Sequence, residues 1–125
     1  MSEKITLDGR SFELVTHKTI ERELYVASLA RRAGIDAMPP DPGETRDQFS
    51  WRLYFRMLEQ GVLLPLLASQ ITPAGTEWSV EEAPATTRLL GKVFQGADRR
   101  RVQSLLALVA AEFVETGVLR PWGAP

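Results

Sequence analysis

Cysteine is absent from the 125 residues, and histidine occurs once, as His17. The first absence removes disulfides and thiolate chemistry and fits a reducing cytoplasm. The second leaves no His/Cys ligand set for a metal, so any metal site would rest on carboxylates. A lone histidine at the start of a helix reads as a surface residue. Charge of one sign is also lacking. With 15 basic and 16 acidic side chains the net charge is −1, and no broad field draws the chain to nucleic acid or an anionic membrane. Long apolar runs are missing too. Val62 to Ala68, which contains Pro65, is far too short to span a bilayer, and no run exceeds it in length. The charged beginning, MSEKITLDG, has no apolar signal core.

The signatures of catalysis are missing as well. No G-x-S-x-G elbow, no G-x-x-x-x-G-K-[ST] loop and no G-x-G-x-x-G turn occurs, so neither an activated serine nor a phosphate cradle is indicated. The pairs Glu81-Glu82 and Glu112/Glu115 read as carboxylates on solvated helix faces rather than as acid–base dyads. The expectation is a protein that is not an enzyme and holds no cofactor or metal.

What is present is apolar periodicity, which changes near residue 16. From Lys4 to Leu14, Ile5, Leu7, Phe12 and Leu14 alternate with polar residues around Asp8-Gly9. Asp-Gly suits a type I′ turn, which needs positive φ at both positions, so a β-hairpin is predicted with Leu7 facing Arg10 and Ile5 facing Phe12. Beyond it the spacing is helical. Thr16 to Arg32 is predicted as a helix capped by Thr16 or Thr19. Its inward stripe is read as Ile20, Leu24 and Ala27, widened by Val26, Leu29, Ala30 and Ala33. Pro39, Pro40, Pro42 and Gly43 make Gly34 to Glu44 a loop, read chiefly as mobile.

Thr45 to Gln48 has the pattern of a capping box. The helix that follows, FSWRLYFRMLEQG, carries Phe49, Trp51, Leu53, Tyr54, Met57 and Leu58 around most of its circumference, with Gln48, Arg52, Arg56 and Glu59 on the remaining arc. After Gly61, VLLPLLASQI reads as a short apolar helix. Thr72 to Pro84 is a second break, in which Ser79 to Glu82 repeats the capping pattern. A helix then starts near Ala85 with Leu89, Leu90, Val93 and Phe94 inward. The last helix, Asp98 to Gly117, has a stripe of Val102, Leu105, Leu106, Val109 and Phe113. Ala107, Leu108, Ala110, Ala111 and Val114 make its other faces small or apolar, which predicts a central, buried rod capped by Asp98. The end, VLRPWGAP, frays unless Leu119 or Trp122 docks. The predicted architecture is therefore one domain, mainly α, with the N-terminal hairpin (4–14), a compact bundle of about five helices and a tail (118–125).

The opening ITLDGRSFEL, Ile5 to Leu14, followed by a helix near Ile20, resembles the tail assembly chaperones of long-tailed bacteriophages and prophages. The resemblance implies a non-enzymatic protein that coats the apolar, helical tape measure protein before the tail tube closes around it. It brings no catalytic residues. Binding an apolar helix requires an exposed apolar surface, and the candidates are the hairpin face (Ile5, Leu7, Phe12, Leu14) and the aromatic helix (Trp51, Tyr54, Phe55, Met57). Such a surface would also drive self-association. Two other classes fit a small helical chain without catalytic motifs. One is a phage-type adaptor such as a head–tail connector component. The other is a nucleic-acid-binding regulator using Arg52, Arg56 and Arg99 to Arg101, a cluster for which pairing with acidic residues is the competing reading.

Overall fold

The computed structural model describes residues 4–96 and 99–119, and of Arg99 and Arg101 the backbone alone. It is mainly α, with five α-helices and a small antiparallel sheet. The hairpin forms in the predicted register: β1 (Lys4–Leu7) pairs with β2 (Arg10–Leu14), Leu7 opposite Arg10 and Ile5 opposite Phe12. Asp8 and Gly9 both adopt positive φ, 51° and 73°, as the type I′ turn demands.

The hairpin does not stand alone. A third strand, β3 (Ile71–Pro73), pairs with β2 and puts it at the centre of the sheet. The pairing continues past the strand ends through Val15 N–H to the Gln70 carbonyl and Ala74 N–H to that of Ser11. These residues were expected to finish an apolar helix and enter a loop. Three residues are too few for an alternation to be visible, and Pro73 is tolerated because it ends an edge strand.

Helix α1 (Ile20–Arg32) is capped by Thr19, whose hydroxyl accepts from Arg22 N–H. Its orientation corrects the sequence reading. Val26, Leu29 and Ala30 are buried and Ala27 is half-buried, but Ile20 and Leu24 face solvent, and Arg22 is wholly buried in their place. Residues two apart on a helix point about 200° from each other. Turning Arg22 inward therefore turns Ile20 and Leu24 outward.

Helix α2 (Arg46–Glu59) opens with the predicted capping box: Gln48 N–H donates to the Thr45 hydroxyl, and Thr45 N–H to the Gln48 amide oxygen. The loop before it is pinned rather than free. Ile35, in a short 3-10 turn, and Met38 are buried. Arg52 grips Glu44 with two bonds of 2.9 Å and donates a third to the Pro39 carbonyl.

The centre of the molecule is α3 (Leu63–Leu67), five residues long. It touches α1, α2, α4 (Ala83–Val93) and α5 (Arg99–Glu115). Every residue from Leu66 to Thr72 is buried. Pro84 sits in the first turn of α4, where its missing N–H costs nothing, and Leu90 is that helix's fully buried contact.

Helix α5 is amphipathic, not enclosed. Val102, Leu105, Val109 and Phe113 are buried and Leu106 is half-buried, while Ala107, Leu108, Ala111 and Val114 are exposed. Its many small and apolar residues mimic a central helix, but the short α3 already occupies that place. Gly117 (φ 82°) lies in the left-handed region just beyond the helix end. Leu119 then docks, packing on the core with its N–H bonded to the Phe113 carbonyl. The Asp98 cap, Trp122 and the rest of the tail lie outside the described residues. No helix among the described residues is long and apolar enough to cross a membrane.

Candidate partner-binding groove

Burial divides the proposed docking residues into two sets. Phe12 is fully buried, and Ile5, Leu7 and Leu14 are half-buried against the core. The hairpin face is thus spent on folding, because a two-stranded ribbon gains stability only by packing that face. Ile5, Leu7 and Leu14 keep part of their surface accessible.

The aromatic helix differs. Leu53 and Met57 point inward, whereas Trp51, Phe55 and Leu58 are 43%, 48% and 44% exposed. They stand at i, i+4 and i+7, a continuous apolar strip along the outer face of α2. The rings order one another: Trp51 stacks on Phe55 at 5.5 Å, and Tyr54 meets both edge-on at 6.1 and 5.5 Å. Offset and edge-to-face pairs of this kind add to the burial of their area and hold the strip as one rigid surface.

The strip borders a groove. Along one side run Asp47, Ser50, Trp51, Tyr54 and Met57 of α2, and along the other Gln103, Leu106, Ala107 and Ala110 of α5. The volume is about 310 Å³. Met57 supplies part of the wall from its buried position, and the small Ala107 and Ala110 leave the α5 side low. Both helices pack on α3, so the core beneath fixes their separation. Three of the four α2 candidates, Trp51, Tyr54 and Met57, line the groove, and Phe55 stands beside it on the exposed strip.

Of the charged residues singled out in the sequence, Arg52 serves structure. Arg52 is committed to Glu44 and Pro39, with its guanidinium 5.2 Å from the Phe49 ring centroid. The same hydrogen bonds hold the Glu44 carboxyl below the ordinary glutamate range, assisted by Asp41 N–H and opposed by partial desolvation. Arg100 is exposed, and the side chains of Arg99 and Arg101 lie outside the described residues.

Glu112 is not on a solvated face. It is buried and receives both terminal nitrogens of Arg22, at 2.8 and 2.6 Å, plus the Gln70 amide at 2.8 Å. Arg22 Nε donates to the Ser69 carbonyl at 2.7 Å. The pair mate of Glu112, Glu115, is exposed and bonded to Lys18 at 3.1 Å, and Glu81 and Glu82 are exposed as well. Periodicity could not find this cluster, since Arg22, the Ser69–Gln70 pair and Glu112 lie 42 to 90 residues from one another. The one available signal was a stripe that left Arg22 unaccounted for.

His17 is exposed. No group of three potential metal-binding side chains occurs among the described residues. The chain matches no protein-family model, no curated protein and no solved structure.

Proposed function

We propose that this protein is a non-enzymatic tail assembly chaperone, acting in the host cytoplasm, that shields the apolar helical tape measure protein through α2 and the α2–α5 groove. The observation that carries the reading is the exposed i, i+4, i+7 strip of Trp51, Phe55 and Leu58 beside a groove walled in part by Met57, Leu106, Ala107 and Ala110. That spacing is how one helix presents anchors to another, and clustered aromatics are the side chains that dominate such interfaces. The opening hairpin's resemblance to this class supplies the identity of the client. A client coated along its length needs a binder that tolerates sequence variation. Apolar anchors with few charged groups meet that need.

The test is co-expression with segments of a phage tape measure protein, followed by titration of a soluble segment. The protein is expected to keep the segment in solution. Trp51→Ala combined with Phe55→Ala should weaken binding by about thirtyfold or more, the scale of an aromatic hot spot. Filling the groove with Ala107→Trp should also weaken it. An intact protein that neither binds nor solubilises any such segment would remove the chaperone reading and leave a connector-type adaptor ahead of it.

A further inference from the structure

A second apolar surface lies on α1. Ile20 is 77% and Leu24 66% exposed, and Val80 at 41% stands across from them. With Glu21, Ser28 and Arg32 these residues line an open concavity of about 660 Å³. None of them lines the α2–α5 groove. Large aliphatic side chains this exposed on successive turns gain little cover from the described residues, as the side chains of a contact surface do.

The charges on α1 identify the occupant. Glu21 and Glu23 lie in its first turn and Arg31 and Arg32 in its last, with no charged side chain on its outward face between them. A surface acidic at one end, apolar in the middle and basic at the other complements itself when reversed. We propose that α1 is the interface with a second copy of this chain, the two helices packing antiparallel about a two-fold axis that crosses them between Val26 and Ala27. A two-fold contact must use the same patch on both copies, and this patch fits.

Glu21 and Arg32 are equidistant from that point, about 8 Å along the helix at 1.5 Å per residue, and both line the same concavity. In the dimer, Glu21 of each chain meets the partner's Arg32, forming two charge-assisted contacts at the rims. Leu24 lies over the small partner side chains at 27 and 28, which allow close approach. Ile20 runs along the methylene stem of the partner's Arg31. One carboxylate oxygen of Glu21 accepts from Val80 N–H at 3.2 Å, which fixes the side chain at the edge of the apolar patch.

Sedimentation equilibrium on the full chain over a concentration series, at low salt, tests this. The wild type is expected to move from 14.0 kDa toward twice that mass. Leu24→Asp should abolish the shift. E21R and R32E, each confirmed folded by circular dichroism and urea midpoint, should each raise the dissociation constant about tenfold or more, since each places like charges opposite one another twice. An equimolar mixture of E21R and R32E restores both pairs across a heterodimer and should recover wild-type association. A wild type that stays at 14.0 kDa at all concentrations overturns the proposal. So does unchanged association of the single variants, or a mixture that associates no better than either alone. Because client binding is read at Trp51 and Phe55, failure of the dimer and failure of the chaperone reading give separate results.

Discussion

Arg22 decides how α1 meets the rest of the protein. A guanidinium and a carboxylate taken wholly out of water lose several kcal/mol each in hydration, and the bidentate pair with Glu112, the Ser69 carbonyl and the Gln70 amide offset that loss. Arg22→Met leaves Glu112 buried without its countercharge and should cost about 3–5 kcal/mol; Glu112→Leu should do the same to Arg22. Replacing both at once should cost far less than the sum, because no uncompensated charge remains. Urea denaturation of the four proteins measures the coupling, and additive losses would show that the pair does not act as a unit. A second residue-scale prediction concerns Glu44. Its folded-state pKa is lowered, first by the hydrogen bonds from Arg52. Its contribution to stability is therefore present above the unfolded glutamate value of about 4.3 and is lost as pH falls through the lower folded value. A carboxyl-carbon NMR titration should place Glu44 below the ordinary glutamate value of about 4.3, and Arg52→Ala should raise it toward that value, the Asp41 N–H bond remaining. An unmoved midpoint in that variant would assign the shift to another cause.

Among the elements, the shortest helix has the largest structural role. Leu66 and Leu67 of α3 are fully buried where four other helices converge, whereas Leu108 on the longer α5 is 36% exposed. Leu66→Ala should cost about 2–5 kcal/mol, from lost transfer free energy and an unfilled cavity. Leu108→Ala should stay within about 0.5 kcal/mol. Equal shifts in urea midpoint would mean that α5, not α3, is the centre. Helix composition misleads here for a physical reason. Apolar content says how much surface a helix would gain by burying, but the neighbours decide which part of that surface is covered. Five residues with four neighbours outrank seventeen with one wet face.

At the scale of the whole molecule, two apolar surfaces stand out among the described residues, one along α2 and its groove and one along α1. They share no lining residue, so the protein has room for a client and for a second copy at the same time. Mutations on one surface should leave the other's binding unchanged, because sites without common partners act additively. R32E should therefore weaken self-association without changing the affinity for an apolar helical segment, and Trp51→Ala should do the reverse. Isothermal titration alongside sedimentation reads both, and a variant that shifts both constants together would show that the surfaces are coupled.

Local rules in the sequence determined the hairpin and its register through Asp8-Gly9, the Thr45–Gln48 capping box, a threonine cap for α1 left open between Thr16 and Thr19, the break from Gly34 and the approximate positions of the helices. Each depends on residues within a few positions of one another, where backbone sterics and short-range hydrogen bonds are decisive. Tertiary structure alone decided the rest. It recruited Ile71 to Pro73 as a third strand, because β2 had an open edge beside them. It rotated α1 so that Arg22 met Glu112 and Ile20 and Leu24 met solvent. It buried Phe12, packed the rest of the hairpin face partly against the core, and left Trp51, Phe55 and Leu58 outside. A helix's periodicity reports which residues share a face, not which face turns inward. That choice is made by partners far away in the chain, and here the inward face is the one that carries Arg22, paired with Glu112, beside Val26, Leu29 and Ala30.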